Sequence, residues 1–212
     1  MTEFTRHEAE NEHIILGLLE SVERDGGQSQ RRLASDLGIA LGLVNAYLKR
    51  CVKKGLVKVS EAPARRYIYY LTPQGFAEKS RLTVEYLTHS FSFFRQARLD
   101  CTEVFAVVRT RGWNRVLFAG VSDLAEIALI CSLESGIVVV GVVDAASSAV
   151  SFVGLPIFAS FDDVPDDCDS VVVTDLRSAH ETNAKALARF GSERVLSPAL
   201  LGLGSRVRRA VV

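Results

Sequence analysis

The sequence contains no CxxC pair. Its four cysteines, Cys51, Cys101, Cys131 and Cys168, stand far apart with no histidine cluster beside them. That excludes a disulfide frame or a zinc site and leaves four small buried apolar residues in a reducing cytoplasm. Histidine is scarce: His7, His13, His89 and His180 are scattered without a metal-ligand spacing, so no metal is expected. Long apolar runs are missing too. The longest, such as Ile137 to Val143, fall far short of the roughly 20 residues that cross a bilayer, so no membrane partner is expected. The opening MTEFTRHEAENEH is polar and acidic, unlike a signal peptide. Neither a P-loop nor a G-x-S-x-G elbow occurs, and no acid/base set emerges, so the chain is expected not to be an enzyme. What remains is 212 residues, 48% hydrophobic and 24% charged, enough for one large domain or two compact ones.

Net charge is also absent in total, yet not in distribution. Residues 1–96 carry 14 Lys/Arg against 11 Asp/Glu, and residues 97–212 carry 11 against 14. Between Arg31 and Arg66 nine basic residues face only Asp36 and Glu61. A local excess of this kind is an electrostatic footprint for a polyanion, although a solvated charged surface produces the same count.

Pattern decides between the two. HEAENEHIILGLLESVER places Ile14, Leu16, Leu18 and Leu19 ahead of a DGG stop, which predicts a helix with one buried stripe. Ser29 can cap a short helix to about Leu37, and Gly38 supplies a tight turn. A third helix follows, with Val44, Leu48 and Val52 expected inward and Gly55 as its stop. Two short helices across a Gly-containing turn form a helix-turn-helix. LVKVS and RRYIYYL alternate as two strands of a hairpin, with Tyr67 and Tyr69 on one face and Ile68 and Tyr70 on the other. LTPQG then opens another helix, with Thr72 as N-cap, Pro73 at the first helical position and Phe76 inward.

The face opposite Val44, Leu48 and Val52 carries Gly42, Leu43, Asn45, Ala46, Lys49 and Arg50. Small residues at its start allow close approach to base edges, and an amide such as Asn45 suits adenine in the major groove. Arg31, Lys49, Arg50, Lys53 and Lys58 suit phosphates, and Arg65 and Arg66 on the hairpin suit phosphate or minor-groove contact. The stretches QRRLASDLGIALGLVNAYLKRCVKKGLVKV and YYLTPQG resemble the MarR-type winged helix, especially its branch found beside exopolysaccharide gene clusters. The resemblance spans roughly residues 8–90 and implies a regulator of polysaccharide or envelope biosynthesis genes whose partner is double-stranded DNA. Ala40 stands where such helices usually begin with Ser or Thr, so orientation on the duplex rests more on backbone N–H groups and the wing. A protein-binding winged helix is the alternative.

Residues 73–111 read as one long helix or two in succession, with Leu82, Tyr86, Leu87, Phe91, Phe94 and Phe105 near helical spacing around HSFS. So much aromatic surface is expected to pack, either on the body of a domain or, as favoured here, in a homodimer that reads two half-sites.

From Arg115 the period changes. RVLFAG, IVVVGVVD, LPIFAS, DSVVVTD and RVLSP are short apolar strands, and SDLAEIALICSLESG and SAHETNAKALARFG are helices. Continuously apolar strands alternating with helices predict a parallel sheet covered on both faces, with ligands at the carboxyl ends of its strands. The turn Gly120 to Asp123 opens a helix N-terminus that attracts anions, and Asp144 ends the second strand where a carboxylate can bond ribose hydroxyls. The glycine fingerprint is broken, however: Ser122 stands in place of the second glycine, and Asp123 adds negative charge. Asp144, the Gly154–Ile157 strand and the Asp162–Asp163 loop resemble the small Rossmann-like domain shared by Rex-type redox repressors, CoA-binding domains and the N-terminal domains of sugar N-acetyltransferases. That resemblance implies a pocket near Gly120, Ser122, Asp144, Ala145 and Thr174, and an effector of nucleotide, nucleotide-sugar or CoA type.

The expected architecture is therefore α/β plus winged helix: a DNA-binding domain over 1–76, a helical connector over 77–112 and a small Rossmann-like parallel sheet over 113–212. Three functions fit it. One is a transcriptional regulator that senses a nucleotide-type metabolite, the second is a regulator with a ligand-free α/β half, and the third is a nucleotide-sugar enzyme with a DNA-tethering module.

Overall fold

The computed structural model describes residues 3–62, 66–165 and 167–204, with the side chains of 11–61, 67–165 and 167–204. The chain divides into two compact units, Met1–Ser90 and Phe91–Val212.

In the first unit α1 (Glu3–Arg24) buries Ile15, Leu16, Leu18, Leu19 and Val22 along one stripe. α2 (Gln30–Leu37) begins where the Ser29 hydroxyl accepts the Arg32 N–H at 3.2 Å and ends at Gly38, whose φ of 63° is the left-handed conformation glycine adopts without cost. α3 (Leu41–Lys53) buries Val44, Leu48 and Cys51. Val52 was expected inward but is 40% exposed. Steps of four residues drift about 40° each around a helix of 3.6 residues per turn, so Cys51 takes the third core position. The strands β1 (Val57–Ala62) and β2 (Arg66–Leu71) form the antiparallel hairpin, with Val59 opposite Tyr69. β2 is also tied to the α1–α2 turn, because the Tyr69 N–H donates to the Gly26 carbonyl at 2.8 Å.

The LTPQG segment is a tie. The Thr72 hydroxyl donates to the Gly55 carbonyl at 2.6 Å and accepts the Gly75 N–H at 3.0 Å, and the Thr72 N–H donates to Leu56 O at 3.1 Å. A Cβ on Gly75 would lie 2.0 Å from Leu56 O, so only glycine lets the helix start press against that carbonyl. This approach corrects the expectation for Phe76, which is 46% exposed while Gly75 takes the buried position. α4 (Pro73–Thr110) then runs unbroken through HSFS. Leu82 of α4 joins the first unit's core. Tyr86, Leu87, Phe91 and Phe94 remain exposed.

The second unit holds a six-stranded sheet ordered β5-β6-β4-β3-β7-β8. Its members are β3 (Arg115–Ala119), β4 (Val138–Val143), β5 (Ser151–Phe152), β6 (Leu155–Phe158), β7 (Ser170–Val173) and β8 (Val195–Leu196). All neighbouring pairs are parallel except β5–β6. The expected parallel sheet carries one antiparallel edge strand in addition: a two-residue turn at Val153 (φ 48°) and Gly154 (φ 81°) closes a hairpin of the primed type that matches strand twist. α5 (Asp123–Glu134) and the Ala97, Cys101, Val104, Phe105 and Val108 stripe of α4 cover one face of the sheet. α6 (Ala179–Phe190) covers the other. Side chains of β3 alternate accordingly, Val116 and Phe118 towards the first layer, Leu117 and Ala119 towards the second. The architecture is a winged helix-turn-helix, a long helix, and a mixed, mainly parallel sheet layered with helices.

Candidate nucleic-acid interface and ligand cleft

On the first unit, α3 presents a face opposite its buried residues. Gly42, Leu43, Ala46, Lys49, Arg50 and Lys53 are exposed there, Asn45 is half-buried, and Arg31 on α2 and Lys58 on β1 are exposed as well. Among the described residues none of Arg31, Lys49, Arg50, Lys53 and Lys58 takes part in an ion pair; the pairs in this unit use Arg24, Lys79 and Arg81. The cations are thus left to meet counterions or phosphates. Arg65 and the side chain of Arg66 lie outside the described residues. Ala40 makes no side-chain cap bond, so nothing but backbone closes the start of α3.

A groove of about 580 Å³ lies between the α1–α2 turn, the start of α2 and β2, lined among others by Ser29, Gln30, Arg32 and Tyr67. Gln30 donates its side-chain amide to the Tyr69 hydroxyl at 2.8 Å, fixing the start of α2 against β2. Arg32 and Tyr67 were not singled out as site residues from sequence; Tyr67 shares its strand face with Tyr69, yet it is 52% exposed where Tyr69 is 5% exposed.

On the second unit, a cleft of about 910 Å³ opens at the carboxyl ends of β3, β4, β6 and β7. Open sheets bind ligands at this edge, where the direction of strand succession reverses between β3 and β7. Gly120, Asp144 and Ala145 line it, whereas Ser122, Asp123 and Thr174 do not. Gly120 has φ 106°, and a Cβ there would sit 2.4 Å from the Asp175 Cβ, so glycine is required by both conformation and space. Thr174 is fully buried, its hydroxyl donating to Gly120 O at 2.6 Å. Ser122 caps α5 by accepting the Ala125 N–H at 3.3 Å and donates its hydroxyl to Thr174 O at 2.5 Å. Asp144 has a largely buried side chain that accepts the Val121 N–H at 3.0 Å and the Ala146 N–H at 2.9 Å and pairs with Arg177 at 3.3 Å.

The first βα turn is therefore filled from within by its own side chains. Asp144 and Ser122 take up the Val121 and Ala125 N–H groups of this turn, and the carboxylates of Asp123 and Asp144 disfavour a pyrophosphate there. The cleft also holds cations: Arg177, just before α6, pairs with Asp144, and Lys185 and Arg189 lie on α6, where sequence reading missed them because a polar helix face facing a cleft looks like one facing water. Lys185 pairs with Glu181 at 2.8 Å and Arg189 with Asp162 at 3.4 Å. Asp175 caps the entry to α6. Burial pushes its carboxyl up, but the Thr182 hydroxyl and the Ser178 and Arg177 N–H groups donate to it and hold it below the usual carboxylate value. Among the described residues no group of three or more His, Cys, Asp or Glu is placed to hold a metal ion. No helix among them is long and apolar enough to cross a membrane.

Residues 12–58 match the family model for winged helix-turn-helix DNA-binding domains. Among solved structures the chain is similar to the PcaV transcriptional regulator from Streptomyces coelicolor in complex with its natural ligand, at 22% identity and a TM-score of 0.36. That match covers 38% of this chain, which spans 59% of the PcaV chain. It is also similar to NcsB1, an O-methyltransferase of neocarzinostatin biosynthesis in complex with S-adenosyl-L-homocysteine, at 14% identity, a TM-score of 0.34, and coverage of 90% and 81% of the two chains. Likenesses this low assign neither a ligand nor a reaction. No curated protein matches the chain.

Proposed function

We propose that the chain is a sequence-specific transcriptional regulator, acting in the cytoplasm as a homodimer on polysaccharide or envelope biosynthesis genes. In this reading it is not an enzyme, and its second half is a Rossmann-like domain that senses a nucleotide-type metabolite. The observation that carries DNA binding is the winged helix-turn-helix over residues 12–58 with unpaired Lys49, Arg50, Lys53 and Lys58 on its exposed side. The contacts assigned are Arg31, Lys49, Arg50, Lys53, Lys58, Arg65 and Arg66 to phosphates, and Gly42, Leu43, Asn45 and Ala46 towards base edges. The exposed Tyr86, Leu87, Phe91 and Phe94 of α4 support pairing of two copies, since so much exposed apolar surface is costly to leave in water. The test is a salt titration of duplex binding by the full chain. Lys49→Ala and Arg66→Ala should each weaken binding and lower the log–log salt slope by about one. Unchanged affinity and slope in both variants would overturn the reading.

For the second half, the cleft at the carboxyl edge favours a bound nucleotide, nucleotide sugar or CoA ester held by Gly120, Asp144, Ala145 and the cations of α6. The self-filled first turn favours a second reading, a regulator whose α/β half carries no ligand. A thermal-shift screen of those compounds separates them, because a ligand of the folded form must raise its melting temperature. A turnover assay on nucleotide sugars addresses the enzyme alternative, and no consumption is expected.

A further inference from the structure

The first turn of the recognition helix is apolar. Leu41 and Leu43 are 41% and 48% exposed and flank Gly42, with the exposed Ala46 one turn further on. A single exposed leucine is ordinary. Here the two leucines, on either side of Gly42, and Ala46 make the exposed side chains at the start of α3 mostly apolar, and its cations begin only at Lys49. Asn45 is the sole amide on this stretch, and the Tyr47 hydroxyl is engaged by Asn11. Ala40 adds no hydroxyl at the cap. The side chains of the tip therefore have almost nothing to donate to an acceptor and much apolar surface to cover.

What can cover it follows from charge. The same unit exposes unpaired cations, Lys49, Arg50 and Lys53 further along α3, Arg31 on α2 and Lys58 on β1, and a polyanion is the complementary occupant. On duplex DNA the major groove offers one apolar group, the thymine 5-methyl. Against guanine O6 and N7, leucine would strip water from acceptors and return no hydrogen bond. Against thymine methyls it buries apolar surface on both partners. We infer that Leu41, Leu43 and Ala46 read thymine methyl groups, so that the half-site is specified by A·T pairs through van der Waals contact, with Asn45 on an adjacent adenine. This rests on the DNA-binding reading and adds the chemistry of its specificity.

The test uses the full-length protein and two random duplex libraries, one built with thymine and one with uracil, which lacks the methyl. Selection from the thymine library should enrich A·T-containing sites. Remaking the best site with uracil at single positions should cost about four-fold at each contacted thymine, the equivalent of ~0.8 kcal/mol for one buried CH₂-sized group. Leu43→Ala should lose that sensitivity at one position, whereas Lys49→Ala should keep it while binding more weakly. Enriched sites that tolerate uracil at every thymine would refute methyl reading and leave DNA binding intact. Salt-dependent duplex binding with no enriched site would do the same. Absence of any duplex binding would remove both readings together.

Discussion

Replacing Gly75 by alanine sets two physical effects of opposite sign against each other. Gly75 lies in the first turn of α4, and alanine in a helix is favoured over glycine by about 1 kcal/mol. On propensity alone the variant should be more stable. The structure predicts the reverse. The new Cβ would sit 2.0 Å from Leu56 O and 3.0 Å from its carbonyl carbon, so the helix start must retreat by more than an ångström. That retreat stretches the Thr72 N–H bond to Leu56 O, at 3.1 Å, and the Thr72 hydroxyl bond to Gly55 O, at 2.6 Å, beyond useful range. Each such bond contributes about 1 kcal/mol net, and lost packing of Leu56 adds a similar amount. The balance is about 2 kcal/mol of destabilisation, a large share of the roughly 5–13 kcal/mol expected for a unit of this size. Intrinsic probes isolate the effect: all five tyrosines lie within Met1–Ser90, and the single tryptophan, Trp113, lies in Phe91–Val212. Urea unfolding followed by near-ultraviolet tyrosine dichroism should show an earlier midpoint, while the Trp113 fluorescence transition holds. A tyrosine midpoint that stays or rises would mean that helix propensity outweighs the close approach, and the account of LTPQG would be wrong.

Val153→Asn should act in the opposite direction. A β-branched residue at φ 48° is strained by about 1–2 kcal/mol, Val153 is 61% exposed, and Asn-Gly is the preferred pair for this turn, so the Trp113 midpoint should rise by about 1 kcal/mol. Acid should weaken the second unit. The Asn114 and Arg115 N–H groups, both at 2.8 Å, hold Asp169 below the usual carboxylate value, so its stabilisation is present above about pH 4 and lost as pH falls further. Asp169→Asn should reduce stability at neutral pH and flatten its acid slope in a pH series of urea melts. The cysteines should be inert in the folded chain, since burial pushes Cys51 up to about 11 and Cys101 up to about 12. Iodoacetamide at pH 8 should label them only after unfolding, and fast labelling of either would contradict their placement.

The parts of this fold legible in sequence are those whose cause is local. Ser29, Gly38 and Gly55 act within a few positions, as does Thr72 in capping the Gly75 N–H, and the structure has them in those roles. The misplaced residues have distant causes. Phe76 is turned outward because Gly75 meets Leu56, about twenty residues earlier in the chain, through a backbone approach that no periodicity reports. The β5 edge strand is two residues long, too short for an alternation signal, and depends on a turn whose first residue, valine, argues against it. The same distinction governs the cleft. The spacing of Gly120 and Asp144 could be read from sequence, because both end apolar strands. That Ser122 bonds across to Thr174 O, and Asp144 back to the Val121 N–H, depends on contacts 52 and 23 residues apart. Those contacts convert a turn that resembles a phosphate cradle into one already satisfied. Any anion at this edge is then met by side-chain guanidinium and ammonium groups of α6 rather than by the backbone N–H groups of α5, and such cations accept a wider range of ligand shapes than a fixed backbone cradle does.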